Sequence, residues 1–173
     1  MLTVGVALFF RDPERIIPPS PETIVSPADG RIMEIISENT QTRRISIFLS
    51  LWDVHINRAP YGGVVRSIVH TPGQFLAAYR QEASVVNEAN TITIADHGRE
   101  FIVKQIAGVL ARRIVCRVRP GDTLDKGQRF GLIRFGSRTD LLLPATAEIA
   151  VQVGDVVRGG ETILAFLKEP PGA

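Results

Sequence analysis

The sequence is short of the residues from which many sites are built. Its 173 residues include one cysteine, Cys116, and three histidines, His55, His70 and His97. A single cysteine excludes an internal disulfide and a zinc site made from several cysteines. No two histidines stand four residues apart, as metal ligands on one helix do. Twenty basic and 18 acidic residues leave a net charge of +2, which is too balanced to indicate nucleic acid as the main partner.

Length and composition are those of one globular domain. Apolar residues make up 45% of the sequence and charged residues 22%, which excludes a disordered chain and a membrane protein with many spans. No basic stretch precedes the first apolar run, so a secretory signal is not indicated. A reducing, cytoplasmic compartment is the default prediction, and a single domain covers residues 1–173.

The N-terminal run is the most apolar stretch. Residues 1–10 (MLTVGVALFF) carry one polar side chain, Thr3. As a helix the run would span about 15 Å, too little to cross a bilayer core of about 30 Å. Three interpretations stay open: an anchor at the membrane surface, the end of a longer segment, or a buried first strand or helix.

Short runs rich in β-branched residues dominate the rest of the chain and predict strands. They cover residues 31–36, 45–51, 64–70, 92–95, 101–106, 114–118 and 141–143. The best helix candidate is Gln74 to Ala83. Since long amphipathic helices are absent, we expect a mainly β fold (β-rich α+β) with few short helices rather than a parallel α/β sheet.

An internal repeat refines this prediction. Residues 118–133 align with residues 151–166, and both copies carry a Gly-Asp pair and a second glycine six residues later. Gly and Asp are turn-forming residues, so each copy reads as strand, turn, strand and turn. Two such copies predict pseudo-symmetric β-sandwich or barrel-sandwich-like units, as in biotinyl and lipoyl carrier domains. A carrier needs a Met-Lys hairpin tip, which is missing here; Lys126 lies in a turn without that context.

Three residues have the chemistry of a nucleophilic site. Ser137 is a potential nucleophile, His55 a potential base, and Asp29 a potential carboxylate to orient that base. Each also has a structural interpretation: Asp29 as a turn residue before Gly30, His55 as a structural histidine, and Ser137 as an ordinary loop serine. The residue types alone leave both interpretations open.

Seven segments in a fixed order resemble the phosphatidylserine decarboxylase family in its short prokaryotic form. They are residues 9–13 (FFRDP), 27–30 (PADG), 48–50 with 53–58 (FLS, DVHINR), 72–75 (PGQF), 87–88 (NE), 105–108 with 111–114 (QIAG, ARRI) and 134–138 (RFGSR). No single segment is specific, whereas their joint order is.

The resemblance implies an enzyme that makes its own pyruvoyl cofactor by autocatalytic cleavage of a zymogen. Ser137 would attack the Gly136 carbonyl and become the pyruvoyl group, giving a β chain of residues 1–136 and an α chain of residues 137–173. We expect these chains to stay together because the repeat pairs one β unit from each side of the cut. The pyruvoyl carbonyl would then be the electron sink for converting phosphatidylserine to phosphatidylethanolamine and CO₂. No metal and no pyridoxal phosphate are implied.

The resemblance also implies roles for individual residues. Asp29 would orient the base for self-cleavage, and His55 would act as the general acid/base. Long family members have a second histidine three residues after the first, where this chain has Arg58. Either His55 serves both steps, or the short form activates Ser137 differently, with His70 as the spare base. Arg58, Arg138 and His70 are the candidates for substrate binding.

The implied partners are a membrane phospholipid, the two chains of the processed protein and, less specifically, a second copy in a homodimer. The implied location is the cytoplasmic face of the membrane, as a peripheral protein. Two alternatives remain: a processing-dead homologue that binds lipid or acts as a scaffold, and a serine hydrolase that stops after cleaving itself.

Overall fold

The computed structural model describes residues 10–80, 82–109, 113–133 and 137–168. Within these residues the fold is mainly β, as predicted, with one four-residue helix. The strands are β1 Thr23–Val25, β2 Gly30–Ser37, β3 Thr42–Leu49, β4 Ile56–Arg58, β5 Gly63–Thr71, β6 Ala89–Asp96, β7 Arg99–Ile106, β8 Ile114–Cys116, β9 Thr123–Leu124, β10 Arg129–Ile133, β11 Ser137–Pro144, β12 Glu148–Ile149, β13 Val156–Val157 and β14 Ile163–Phe166. The helix, α1, is Ala83–Val86.

Three antiparallel sheets contain these strands. The large sheet has the order β13-β2-β3-β11-β7-β6-β5-β9, and the small sheets have the orders β1-β14-β12 and β4-β10-β8. Apolar side chains from all three sheets form one principal core, which includes Ile24, Ile47, Phe101, Phe130 and Leu164. Parts of the large sheet are covered on both faces, which explains why several of its strands consist of consecutive apolar residues instead of alternating apolar and polar ones.

The predicted pseudo-symmetry extends beyond the repeat. A shift of 33 residues places β1 on β4, β2 on the start of β5, and β9 on β13. The same correspondence matches one small sheet to the other. It also matches the β13-β2 end of the large sheet to the β9-β5 end, and β11 and β7 lie at the centre of that sheet. The fold is therefore built from two equivalent halves, each made from an early and a late segment of the chain.

The Gly-Asp turns of the repeat are nearly identical in conformation. Gly121 and Gly154 have φ of 96° and 99°, in the left-handed region that favours glycine. Asp122 accepts a hydrogen bond from the Arg119 N–H at 2.8 Å, and Asp155 accepts one from the Gln152 N–H at 2.9 Å. The sequence interpretation of these pairs as turns is confirmed.

The helix predicted over Gln74 to Ala83 is wrong. Its described residues are not helical before Ala83, where α1 begins. Asn87 explains the difference, because its side chain accepts a hydrogen bond from the Leu76 N–H at 2.9 Å and donates to the Leu76 carbonyl at 2.8 Å. The Gln74 N–H also donates to the Val86 carbonyl at 2.7 Å. These contacts hold the start of the segment extended, and a turn closed by the Arg80 N–H on the Ala77 carbonyl follows, although the apolar spacing suits a helix.

Strand β11 lies between β3 and β7 at the centre of the large sheet. It pairs with β3 from Ser137 opposite Leu49 to Pro144 opposite Thr42. The repeat copies do not pair with each other: in the described strands, β9 pairs with β5 and β13 pairs with β2. The expectation that they link residues 1–136 to residues 137–168 by pairing with each other is wrong. That link comes from β11, and from β13 and β14 on β2 and β1.

Candidate active site

Ser137 is the first residue of β11 and is completely buried. Its Oγ has no hydrogen-bond partner among the described residues. Nearly all buried polar atoms in native proteins have a partner, so an isolated buried hydroxyl requires a specific explanation. Gly136, the other half of the predicted cleavage site, lies outside the described residues.

A buried polar network surrounds the next side chain on the same face of β11. Thr139 is two residues from Ser137, so the two side chains lie on one face of the strand. Asn57 Nδ2 donates to Thr139 Oγ1 at 3.1 Å, and Gln105 Nε2 donates to Asn57 Oδ1 at 2.8 Å. Asn90 Nδ2 completes the chain by donating to Gln105 Oε1 at 2.9 Å. The network fixes the polar surroundings of β11 in a single arrangement.

His55 is buried and held at its backbone and its ring. Its carbonyl accepts a hydrogen bond from the Ile133 N–H at 3.1 Å. Ring Nδ1 lies 2.9 Å from the Asp53 carbonyl oxygen, which can only accept, so Nδ1 carries the proton. In the neutral ring this leaves the lone pair on Nε2. Burial lowers the pKa of His55 below its ordinary value of 6.5, partly offset by the Asp53 hydrogen bond, which favours the neutral, basic form.

The path from His55 to Ser137 is short. Ile133, bonded to the His55 carbonyl, precedes Ser137 by four residues, so their Cα atoms are at most about 15 Å apart. Leu49, opposite Ser137 in the sheet, precedes His55 by six residues. Two separate stretches of chain, of four and six residues, thus link the predicted nucleophile in the large sheet to the predicted base beside β4 in a small sheet.

Asp29 has different partners from those expected of a residue that orients a base. Its carboxylate accepts hydrogen bonds from Arg15 at 2.8 and 3.0 Å and from the Gly159 N–H at 2.7 Å. Arg15 also pairs with Glu161 at 3.3 Å. These contacts hold the extended segment of residues 10–19, the lead-in segment, against the domain. The structure therefore places Asp29 beneath the lead-in segment, with Arg15 as its charged partner.

Arg58 is also used by the lead-in segment. Its guanidinium donates to the Gly127 carbonyl at 3.0 Å, to the Pro13 carbonyl at 3.1 Å and to Asp12 at 3.4 Å. The side chain is buried, at 6% exposed. Arg58 takes the place of the second histidine of long family members, and these hydrogen bonds engage its guanidinium.

Arg138 and His70 lie apart from the Ser137 side chain. Arg138 follows Ser137 and so projects from the opposite face of β11. There it donates to Asp140 at 2.6 Å and to Ser46 at 2.8 Å, and it is almost fully buried. The His70 side chain is 55% exposed, with Nε2 3.8 Å from Glu88.

A cavity of about 310 Å³ opens beside His55. Its lining includes the aromatic rings of Phe10 and Phe130 and the guanidinium groups of Arg117 and Arg129. Asp12 and Glu14 bind Arg129, each at 2.8 Å. The Arg117 backbone N–H donates to the Phe130 carbonyl at 2.8 Å, whereas its guanidinium has no hydrogen-bond or ion-pair partner in the part of the chain that the structure describes. The cavity therefore combines an apolar wall, the imidazole of His55 and a cation available to an anion.

Sequence reasoning missed Arg117 and Arg129. Arg129 lies in the first repeat copy, where the 33-residue shift places it on Thr162, and Arg117 lies one residue before that copy. Arg119 also has no counterpart in the second copy, where Gln152 takes its place, so the repeat does not single out the two arginines of the cavity.

The described residues contain no group of three or more His, Cys, Asp or Glu side chains placed to hold a metal ion. Nor do they form a helix with the length and hydrophobicity needed to cross a membrane. The N-terminal run of residues 1–9 lies outside the described residues.

Comparison with known proteins gives one consistent result. The model of the family described as "Phosphatidylserine decarboxylase" matches residues 2–165. A phosphatidylserine decarboxylase proenzyme of Desulfotalea psychrophila is 44% identical over 171 residues, covering 95% of this chain and 80% of that protein. Proteins of the same name from Ehrlichia chaffeensis and Cereibacter sphaeroides are 46% and 47% identical, covering 94% and 96% of this chain and 76% of each protein.

Proposed function

The chain belongs to the phosphatidylserine decarboxylase family, whose members are carboxy-lyases, and we propose that it cleaves itself between Gly136 and Ser137 and then decarboxylates phosphatidylserine. The products of cleavage are the β chain of residues 1–136 and the α chain of residues 137–173. The observation that carries the proposal is the fully buried Ser137 hydroxyl, isolated at the first residue of the central strand.

Self-cleavage begins at Ser137 Oγ. The hydroxyl oxygen attacks the Gly136 carbonyl carbon, the peptide C–N bond breaks, and an ester links the two residues. His55 Nε2 takes the hydroxyl proton and passes it to the Ser137 nitrogen released by the broken peptide bond, in keeping with a neutral ring whose Nδ1–H is committed to the Asp53 carbonyl. Loss of the Cα proton then expels the Gly136 carboxylate, and water converts the resulting dehydroalanine to a pyruvoyl group and ammonia.

The surroundings of Ser137 suit a pyruvoyl group. The position is buried, and the lost hydroxyl leaves behind no broken hydrogen bond among the described residues. The β11 ladder to β3 and the Arg138–Asp140 pair on its far face hold the new N-terminus after cleavage. When formed, the group supplies a carbonyl that accepts the electron pair released as CO₂ leaves the substrate.

The cavity beside His55 is the site proposed for the serine headgroup. Arg117 binds the anionic phosphate or carboxylate through charge-assisted hydrogen bonds. Phe10 and Phe130 provide the apolar wall, and His55 delivers a proton to the carbon that loses CO₂. Arg129, neutralised by Asp12 and Glu14, keeps the lead-in segment in place. Asp29 acts through Arg15 as a positioning residue for the same segment.

The substrate also sets the proposed location. Phosphatidylserine keeps its acyl chains in the bilayer, so the protein works at the cytoplasmic face of the membrane as a peripheral protein, with residues 1–10 as an anchor. The apolar composition of that run supports the proposal. A homodimer stays a prediction.

Replacing Ser137 by alanine tests the function. We expect Ser137→Ala to give one uncut chain that releases no CO₂ from carboxyl-labelled phosphatidylserine in detergent micelles. Ser67→Ala, on the partly exposed strand β5, is the control and is expected to be cut and active. Decarboxylation by Ser137→Ala would contradict the proposal. A wild-type chain that stays uncut and inactive would instead favour the processing-dead interpretation.

A further inference from the structure

The turn that precedes His55 presents apolar side chains to solvent. Residues 50–53, the Trp52 turn, connect the end of β3 to the segment that carries His55. Trp52 is 79% exposed and Leu51 is 46% exposed. Tryptophan is usually well buried in folded proteins, so two adjacent large apolar side chains at the tip of a turn suggest a surface with a partner.

The turn is firmly closed, so its exposure is built into the fold. Asp53 Oδ2 accepts hydrogen bonds from the Ser50 N–H and the Ser50 hydroxyl, both at 2.7 Å. The Asp53 N–H donates to the Ser50 carbonyl at 3.1 Å. These hydrogen bonds between Ser50 and Asp53 leave Leu51 and Trp52 at the tip, pointing away from the core.

The same turn is joined to the site and to the lead-in segment. The Asp53 carbonyl accepts the His55 Nδ1–H at 2.9 Å. On the other side, Arg11 donates to the Trp52 carbonyl at 2.6 Å. Its neighbour Phe10 is 46% exposed and lines the cavity beside His55. The exposed tip is thus connected through Asp53 to His55 and through Arg11 to Phe10, and both of these residues line the cavity.

We propose that the Trp52 turn inserts Leu51 and Trp52 into the interfacial layer of a phospholipid bilayer and so presents the His55 cavity to lipid headgroups. This inference rests on the proposed function, which requires a substrate whose acyl chains stay in the membrane. A bilayer is favoured over a protein partner for two reasons. Tryptophan prefers the membrane–water interface, where its ring is buried and its N–H stays wet. The apolar run of residues 1–9 also leads directly into Phe10, at the same edge of the cavity.

The sequence provides its own probe, because Trp52 is the only tryptophan. We expect the emission of the wild-type chain to shift to the blue on adding vesicles of equal parts phosphatidylcholine and phosphatidylglycerol. Brominated phosphatidylcholine in the vesicles should quench it. Emission that stays unshifted and unquenched while the protein co-sediments with the vesicles would overturn the proposal.

A matched pair of variants tests how much Trp52 contributes to vesicle binding. Trp52→Ser should weaken co-sedimentation with these vesicles about tenfold or more, as expected for losing the burial of one large apolar side chain. The control is Val153→Ser. Val153 is 59% exposed and lies in a turn closed by Asp155 as the Trp52 turn is closed by Asp53. Equal binding by the two variants would contradict the proposal.

Activity on a water-soluble, short-chain phosphatidylserine separates this inference from the proposed function. We expect Trp52→Ser to match the wild type on the soluble substrate and to be slower on vesicles that contain phosphatidylserine. Loss of activity on both substrates would show that the turn supports His55 rather than the membrane contact, which overturns the inference. Inactivity of the wild type on both would refute the proposed function, while the emission experiment would still decide the insertion.

Discussion

Arg15 donates to both carboxylate oxygens of Asp29, at 3.0 and 2.8 Å, and so joins the lead-in segment to the turn before β2. Both side chains are largely buried, at 7% and 13% exposed. The pair lies on the same side of the domain as Arg58, which donates to Pro13 of that segment. Asp29 therefore holds the segment that supplies Phe10 and Asp12 to the lining of the cavity.

Removing either member of this pair should have the same effect. We expect Arg15→Gln and Asp29→Asn each to lower the free energy of unfolding by about 2 kcal/mol, the range for a hydrogen bond to a charged group. The double variant should lose less than the sum, because the two changes remove one interaction. Urea unfolding in a Ser137→Ala background, which keeps the chain intact, measures these values.

Self-cleavage distinguishes this positioning role from direct proton transfer. If Asp29 orients the base directly, Asp29→Asn should stop cleavage, and Arg15→Gln should leave it nearly unchanged. Our account expects both variants to slow cleavage to a similar degree. A time course on denaturing gels decides between the two.

The environment of His55 predicts the pH dependence of cleavage. Burial lowers its pKa below 6.5, so the ring stays neutral in the folded protein at pH values where it is protonated in the unfolded chain. The rate of cleavage should therefore hold as the pH falls to 6.5 and decline only below it. A decline centred above pH 6.5 would contradict the assignment of His55 as the base.

The lowered pKa of His55 also determines the direction in which stability changes with pH. Between pH 6.5 and the lowered pKa, the unfolded chain binds a proton at His55 that the folded chain does not, so acidification through this window destabilises the fold. Above pH 6.5 His55 makes no pH-dependent contribution. The difference between Ser137→Ala and Ser137→Ala/His55→Gln in urea unfolding, measured across this range, should show that slope.

Arg117 is expected to matter for substrate and not for processing. Arg117→Ala should lower kcat/KM on soluble phosphatidylserine about tenfold or more, since it removes charge-assisted hydrogen bonds worth about 1.5–3 kcal/mol. Cleavage should be normal. Arg119→Ala, two residues away and outside the cavity lining, is the control. Similar kcat/KM values for the two variants would show that Arg117 does not contact the headgroup.

Arg138 is expected to act on the fold. Arg138→Met leaves the buried Asp140 carboxylate with Arg44, 3.4 Å away, as its remaining ion-pair partner among the described residues and with the more distant charge of Lys104. Loss of about 3 kcal/mol of stability follows, and Arg138→Met/Asp140→Leu should recover part of it because the unpaired charge is removed. Urea unfolding in the Ser137→Ala background provides the comparison. Unchanged stability with a raised KM would return Arg138 to the substrate-binding role.

Local patterns were sufficient for most of the fold. Each of the seven β-branched runs overlaps an observed strand, because alternation and turn residues are local signals, although the run 141–143 covers only part of β11. The 33-residue repeat gave the pseudo-symmetry. The failed helix shows the limit: Asn87 holds Leu76 from eleven residues away, and a tertiary contact of this kind overrides helical spacing.

The site was predictable as a set of residues but not as an arrangement. The family resemblance pointed to Ser137, His55 and Asp29, whereas the partners of Asp29 and Arg58 depend on a lead-in segment whose path the sequence does not specify. The family resemblance did not identify Arg117, the cation proposed to bind the headgroup. Arg117 belongs to none of the seven matching segments, and only its place beside His55 in the folded chain reveals it.

Intact mass under denaturing conditions tests the central claim most directly. We predict two chains that end at Gly136 and begin at residue 137, with the shorter one lighter by one ammonia than a chain with N-terminal serine. Phenylhydrazine should add once to the shorter chain and leave the longer one unchanged. A single chain of the full mass, or a shorter chain that retains its serine, would contradict the account.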